Sequence, residues 1–61
     1  MCTEITHEAF RAIVPVDLPC TDVIEQETCR GTYYYSRGVW LYQLESFVSC
    51  TAQYFIRDIN A

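Results

Sequence analysis

The sequence predicts an α+β domain, with one or two short N-terminal helices packed on a three-stranded antiparallel meander. Two observations predict this class. Apolar residues recur at helical spacing in the first 13 residues, and the second half is rich in the β-branched and aromatic residues of strands. With a length of 61 residues, we expect residues 1–61 to form a single domain. A core of this size supplies about 3–5 kcal/mol, so small folds often gain stability from a covalent staple or a second subunit.

Residues 4–13 are expected to form the first helix. Thr3 precedes it as a cap whose hydroxyl accepts an early backbone N–H, and Glu4 in the first turn is favoured by the helix dipole. Pro15 disfavours helical backbone at Val14, so the helix ends before it. The residues on its core side are Ile5, Ala9 and Ile13.

The connector after this helix holds two prolines and is expected to be extended over residues 14–20. Asp22 and Glu25 then have the spacing of a capping box, in which the first residue caps a helix and the second reaches back to it. This spacing predicts one or two helical turns over residues 22–28.

The second half of the chain is expected to form the three strands. Residues 32–35 favour a strand, and residues 36–38 suit a three-residue hairpin loop with Gly38 in the left-handed conformation. Residues 39–56 fit either a helix or two strands. The strands are favoured because a turn at residues 47–49 gives one register that separates apolar from polar side chains. In this register the sheet side of the core consists of Trp40, Tyr42, Leu44, Tyr54 and Ile56.

Large side chains are also expected on the outer face of this sheet, because successive strand residues point to opposite faces. An exposed cluster of this kind usually marks an interface with a partner or with a second copy of the chain. The alternative is that the N-terminal connector covers the cluster and makes a second small core. The side chains of this predicted aromatic patch are Tyr33, Tyr35, Leu41 and Phe55.

Charge is distributed unevenly along the chain. Residues 1–29 carry six carboxylates against one arginine, whereas residues 30–61 carry three arginines against two carboxylates. Such a run is ordinarily a solvated face that keeps a protein soluble. It also fits an anionic surface that mimics a phosphate backbone and occupies the basic groove of a nucleic-acid-binding protein. The carboxylates of this predicted acidic face are Glu4, Glu8, Asp17, Asp22, Glu25 and Glu27.

Several partners and compartments are disfavoured. Four arginines, no lysine and a net charge of −4 disfavour direct binding to DNA or RNA. The N-terminus lacks the basic and apolar regions of a secretory signal, and no apolar run is long enough to span a membrane. We therefore expect a cytoplasmic protein with no membrane partner.

The cysteines are expected to be small buried thiols. They lack the closely spaced pairs that hold structural zinc, and a reducing cytoplasm disfavours disulfides. If a disulfide forms, Cys20 and Cys29 are the expected pair, because they flank one short segment. The four residues are Cys2, Cys20, Cys29 and Cys50.

Catalysis is not expected. Nothing in the spacing brings a cysteine and an orienting acid to His7, the only histidine, and neither Gly31 nor Gly38 belongs to a phosphate-binding loop. We therefore expect neither an enzyme nor a bound cofactor or metal.

This one small domain combines an acidic first helix with Glu4 and Glu8, an acidic connector over residues 17–27 and an aromatic hairpin over residues 33–55. In this construction the chain resembles the small inhibitors encoded by bacteriophages and mobile elements, of which the anti-CRISPR proteins are the best-known set. That group shares no motif, so the resemblance assigns no role to an individual residue.

The resemblance implies a small non-enzymatic inhibitor that binds a host nucleic-acid-processing complex in the host cytoplasm. Its partner would be a host protein with a basic nucleic-acid-binding groove, which the acidic face would enter as a DNA mimic. The alternative function is a structural or assembly protein that forms a homodimer through its aromatic sheet face.

Overall fold

The computed structural model describes residues 2–57, which form a five-stranded antiparallel sheet with one short helix. The strand order is β1-β5-β4-β3-β2, so β1 and β2 are the edges and β4 is the centre. The prediction of one or two helices on a three-stranded meander is wrong, because two segments expected to be helical add a strand at each edge. The elements are β1 (Cys2–Ile5), α1 (His7–Ile13), β2 (Asp22–Glu25), β3 (Cys29–Ser36), β4 (Val39–Ser46) and β5 (Thr51–Arg57).

The first segment is divided between a strand and a helix. Residues 2–5 pair with β5, and α1 begins only after Thr6, whose hydroxyl accepts the Ala9 backbone N–H at 3.1 Å. The predicted cap at Thr3 is therefore wrong by three residues. Backbone hydrogen bonds to β5 and the packing of Ile5 against the core favour the strand, so tertiary pairing overrides local propensity. The helix ends at Ile13, as the position of Pro15 predicts.

The second predicted helix is an edge strand. Residues 22–25 pair with β3 and do not form helical turns. The Asp22 carboxylate accepts the N–H of the next residue, Val23, at 2.9 Å. This contact lies within a strand, and the capping-box spacing that predicted a helix start has no such role here. The edge position explains why every residue of β2 is exposed.

Both hairpin loops differ by one residue from the lengths that the sequence predicted. The β3–β4 loop has two residues, Arg37 and Gly38, with φ of 53° and 78°. Positive φ at both central positions is typical of a type I′ turn, whose twist suits a tight hairpin. The β4–β5 loop has four residues, 47–50, and ends on Cys50 with φ of 56°.

Because of these two loop lengths, the side chains of β4 lie on the opposite faces of the sheet from those predicted. A shift of one residue moves a whole strand to the opposite face, and here it occurs at both ends of β4. Leu41, expected outside, is only 1% exposed in the core, whereas Trp40 and Tyr42 lie on the opposite face. Tyr54 and Ile56 of β5 pack against the core.

The core lies between α1 and one face of the sheet. Phe10, Val14 and Leu41 are its fully buried side chains. The Phe10 ring meets Tyr34 edge-on at 5.6 Å between centroids and Tyr54 at 4.7 Å. At the far end of α1, the Ser36 hydroxyl donates to the Ile13 carbonyl at 2.9 Å, which ties the helix to the end of β3. The helix covers this face, and within residues 2–57 no helix lies on the other one.

Candidate functional site

The face of the sheet opposite α1, which we call the open face, carries five aromatic side chains. Directly paired residues of antiparallel strands point to the same side, and two such pairs between β3 and β4 are ring pairs, Tyr35 with Trp40 and Tyr33 with Tyr42. Tyr42 is paired in turn with Phe55 of β5. Tyr35 and Trp40 remain 48% and 39% exposed. The strand pairing therefore gathers rings from three adjacent strands on one accessible surface.

The rings contact one another in tilted pairs. Centroids lie 4.9 Å apart for Tyr35 and Trp40, 4.7 Å for Tyr33 and Tyr42, and 6.1 Å for Tyr42 and Phe55. Tilted pairs at such distances are attractive by about 0.5–1.5 kcal/mol beyond the burial of their area. The rings consequently form two adjacent clusters on one surface, Tyr35 with Trp40 and Tyr42 with Tyr33 and Phe55.

A groove of about 360 Å³ runs across this surface. Trp40, Tyr42 and Phe55 form its walls, and Cys2 and Arg57 stand at the end nearest β1. Its lining is almost entirely apolar, apart from the guanidinium and the tyrosine hydroxyls. An apolar concavity with few polar groups is the usual form of a recognition site.

The Tyr42 ring lies directly over Gly31. A Cβ placed on Gly31 would come within 2.7 Å of Tyr42 Cε1 and 2.8 Å of Cζ, which real side chains do not tolerate. The tyrosine ring therefore occupies the space that any other residue at position 31 would need. The glycine allows the central ring of the open face to lie close to the backbone.

Burial raises the pKa of the Tyr42 hydroxyl, and the neighbouring Tyr33 and Cys29 raise it further when they ionise. The folded state thus favours the protonated form of Tyr42 more strongly than the unfolded chain does. At neutral pH the Tyr42 side chain is therefore uncharged.

This shift makes a prediction for stability at high pH. The tyrosine pKa in an unfolded chain is about 10, so the contribution of Tyr42 is complete below pH ~10 and is lost as the pH rises toward the higher folded-state value. In urea unfolding, the free energy of unfolding of Tyr42→Phe is expected to fall less than that of the wild type between about pH 9 and pH 11. An equal fall in both proteins would contradict the assignment.

Carboxylates stand at both ends of the central line of rings. Glu4 of β1 is paired with Phe55, and Asp22 of β2 is paired with Tyr33. Since paired residues share a face, one line across all five strands consists of Glu4, Phe55, Tyr42, Tyr33 and Asp22, which we call the ring row. Asp22 also borders a shallow depression with Trp40 and Tyr33, consistent with this placement. The ring row is therefore apolar in the middle and has a carboxylate at each end, and the Arg57 guanidinium lies on the same face near the Glu4 end.

The predicted acidic residues are divided between the two sides of the molecule. Glu4 and Glu8 lie on β1 and α1, whereas Asp22 and Glu25 lie on β2, at the opposite edge of the sheet. Glu27 lies in the turn between β2 and β3, and Asp17 in the connector after α1. The six do not form one continuous strip.

One of these carboxylates is already paired. Glu25 Oε2 accepts from Arg30 Nε at 3.0 Å, and both side chains are about half exposed. An exposed pair of this kind contributes roughly 0–1 kcal/mol to stability. Its main effect is to reduce the negative charge that Glu25 offers to a partner.

The predicted aromatic patch is only partly assembled. Tyr33, Tyr35 and Phe55 share the open face, but Leu41 lies in the core. The sequence prediction missed Trp40 and Tyr42, which replace it as the central side chains. A hint of their position is Gly38, which also suits a two-residue loop together with Arg37. Such loops prefer asparagine or aspartate before the glycine, so the sequence favoured the three-residue loop.

The histidine and the cysteines, which the sequence analysis considered for their chemistry, can also be located. The His7 ring packs on Tyr54 at 5.1 Å between centroids. Within residues 2–57, no group of three histidine, cysteine or acidic side chains could hold a metal ion. All four cysteines have free thiols, and Cys2, Cys20 and Cys50 are exposed, so the expectation of buried thiols is wrong for these three.

The arrangement brings five aromatic side chains together on one accessible face of the sheet. None of the helices in residues 2–57 has the length and apolar content needed to cross a bilayer. Comparisons with protein-family models, with curated proteins and with solved structures found no match.

Proposed function

We propose that this chain is a small non-enzymatic binding protein that docks its open face on a basic surface of a nucleic-acid-processing protein and thereby inhibits it. The observation that carries the proposal is the ring row, in which an apolar centre is flanked by Glu4 and Asp22. Aromatic side chains are enriched in the centres of protein interfaces, and charges at the rim steer association with a surface of opposite sign.

The sign of the charge supports a protein partner over nucleic acid. The chain has a net charge of −4, and the carboxylates at both ends of the ring row would repel phosphates. Stacking platforms that bind single strands combine rings with a positively charged groove, whereas Arg57 is the one cationic side chain among residues 2–57 that lines this groove. A surface lined with arginine or lysine, of the kind that binds nucleic acid, is the complementary partner.

Two substitutions test the contribution of the open face. Affinity capture from host extract identifies the partner, which is then purified and titrated with the variants. Trp40→Ala is expected to weaken binding about 30-fold, since central aromatic anchors contribute about 2 kcal/mol or more. The matched control is Phe47→Ala, an aromatic ring of similar exposure (45% against 39%) in the β4–β5 loop. Equal losses in the two variants would contradict the proposal.

A third variant tests the charges. The double substitution Glu4→Gln and Asp22→Asn is expected to weaken binding about fivefold at low salt, since exposed ion pairs contribute ~0.2–1 kcal/mol each. The loss should shrink as salt is added, because ions screen exposed charges. A partner whose affinity does not change with salt, or whose contact surface is not basic, would contradict the proposal.

A second candidate function is self-association through the same face. The sheet has five strands about 4.8 Å apart and up to eight residues long, so its flat area is on the order of 500 Å². The side chains raise the accessible area toward the ~800 Å² per partner that a standard interface buries. Sedimentation at micromolar concentration separates the two functions. A monomer excludes the dimer, whereas a dimer that Trp40→Ala dissociates assigns the open face to a second copy.

A further inference from the structure

The groove and the two edge carboxylates together specify what a partner segment must present. Resting on the proposed function, we infer that the partner segment carries one uncharged aromatic side chain, which enters the groove, and a basic residue on each side of it, which meets Glu4 or Asp22. The occupant is thus a short basic–aromatic–basic segment of a protein.

The central position follows from the groove. Its volume of about 360 Å³ lies within the range for ligand sites, roughly 300–1,000 Å³, so it has room for one ring-bearing side chain. Trp40, Tyr42 and Phe55 offer ring edges and faces for a further tilted aromatic contact. Arg57 at the end of the groove repels a cationic anchor and attracts the face of an aromatic one.

The spacing of the basic residues follows from the sheet. Glu4 and Asp22 lie on the two edge strands, so four inter-strand steps separate them. At about 4.8 Å for each step, this distance is roughly 19 Å. An extended peptide advances about 3.3 Å per residue, so basic residues about six positions apart reach both carboxylates while the residue midway lies over the groove.

A synthetic peptide with these features is the direct probe. The capped heptapeptide Arg-Gly-Gly-Phe-Gly-Gly-Arg has the required spacing, and its phenylalanine does not interfere with tryptophan emission. Trp40 is the only tryptophan in the chain and forms part of the groove wall, so its fluorescence reports occupancy. We expect this peptide to bind at least about tenfold more tightly than each of three control peptides. One control replaces the phenylalanine by lysine, one shortens the peptide to Arg-Phe-Arg, and one replaces both arginines by glutamate.

Variants of the protein test the ends of the ring row. With Glu4→Gln and Asp22→Asn combined, the preference for the arginine-ended over the glutamate-ended peptide is expected to disappear. The matched control combines Glu8→Gln and Glu27→Gln, which removes two carboxylates outside the ring row, in α1 and in the β2–β3 turn, and should retain the preference. Circular dichroism of each variant confirms that it is folded.

Several outcomes overturn the inference. They are equal binding of Arg-Phe-Arg, equal binding of the lysine-centred peptide, and no change of Trp40 emission up to millimolar peptide. If Trp40 emission changes with protein concentration but not with added peptide, a second copy of the chain occupies the groove. That result overturns the proposed function as well. If a purified basic partner binds through Trp40, Glu4 and Asp22 while the heptapeptide fails, only this inference fails.

Discussion

Phe10→Ala is expected to leave the chain largely unfolded at room temperature. Phe10 is 0% exposed and joins α1 to the sheet through its contacts with Tyr34 and Tyr54. Removing a buried phenyl ring costs about 3–5 kcal/mol, and a core of this size supplies a total of about 3–5 kcal/mol. Urea unfolding followed by circular dichroism measures the loss.

Phe47→Ala is the matched control, because it makes the same chemical change on the surface. Phe47 is 45% exposed, and its principal polar contact is the Arg30 guanidinium, 5.7 Å from the ring centroid. An exposed cation–π contact contributes about 0.5–1 kcal/mol, so this variant should remain folded. If Phe10→Ala unfolds at the same urea concentration as Phe47→Ala, the core described between α1 and the sheet is wrong.

The meander of β3, β4 and β5 could be predicted because its residues carry a strong local signal. Residues 33–35 and 39–42 are rich in aromatic and β-branched side chains, and Gly38 marks a turn. The strands β1 and β2 could not be predicted in the same way. Each has only four residues, and each contains a carboxylate in a spacing that also suits the first turn of a helix. Their structure is decided by the edge of the sheet that they join.

The composition of the open face depends on two backbone conformations that the sequence does not indicate. Arg37 and Cys50 have positive φ, although neither residue type favours it. Arg37 shortens the first hairpin loop by one residue, and Cys50 ends a second loop that is one residue longer than expected. Together the two changes place every side chain of β4 on the face opposite to the predicted one, but they leave the predicted faces of β3 and β5 unchanged. For this reason Tyr33 and Phe55 could be placed on the same face from sequence, whereas Trp40 and Leu41 were each predicted on the wrong face.

The order of charges along the sequence did not show where the carboxylates lie on the sheet. The N-terminal half is acidic in sequence, but Glu4 and Asp22 lie on opposite edge strands of the sheet. Only the pairing of β1 with β5 and of β2 with β3 shows that both carboxylates end the same row of rings. That relation depends on register, which requires the structure.

Gly31→Ala is expected to destabilise the fold by about 1–3 kcal/mol and to disorder the groove. The added methyl group would lie 2.7 Å from Tyr42 Cε1, so the ring must leave its position on the sheet. Tyr42 is packed against Tyr33 on one side and Phe55 on the other, which leaves it little room to move without breaking both contacts. Urea unfolding measures the stability, and Trp40 emission with the heptapeptide measures the groove.

A double-mutant cycle separates this clash from the general cost of losing a glycine. In the Tyr42→Ala background the space above position 31 is empty, so Gly31→Ala should cost at least 1 kcal/mol less there, in the range of ~0.5–3 kcal/mol that contacting residues show. Gly38→Ala is the control, because Gly38 has φ of 78° and no atom within 4 Å of an added Cβ. Its cost comes from the backbone alone and should be the same with or without the Tyr42 ring. Equal costs of Gly31→Ala in both backgrounds would mean that Tyr42 does not lie over Gly31, and the groove wall described for Tyr42 would then be wrong.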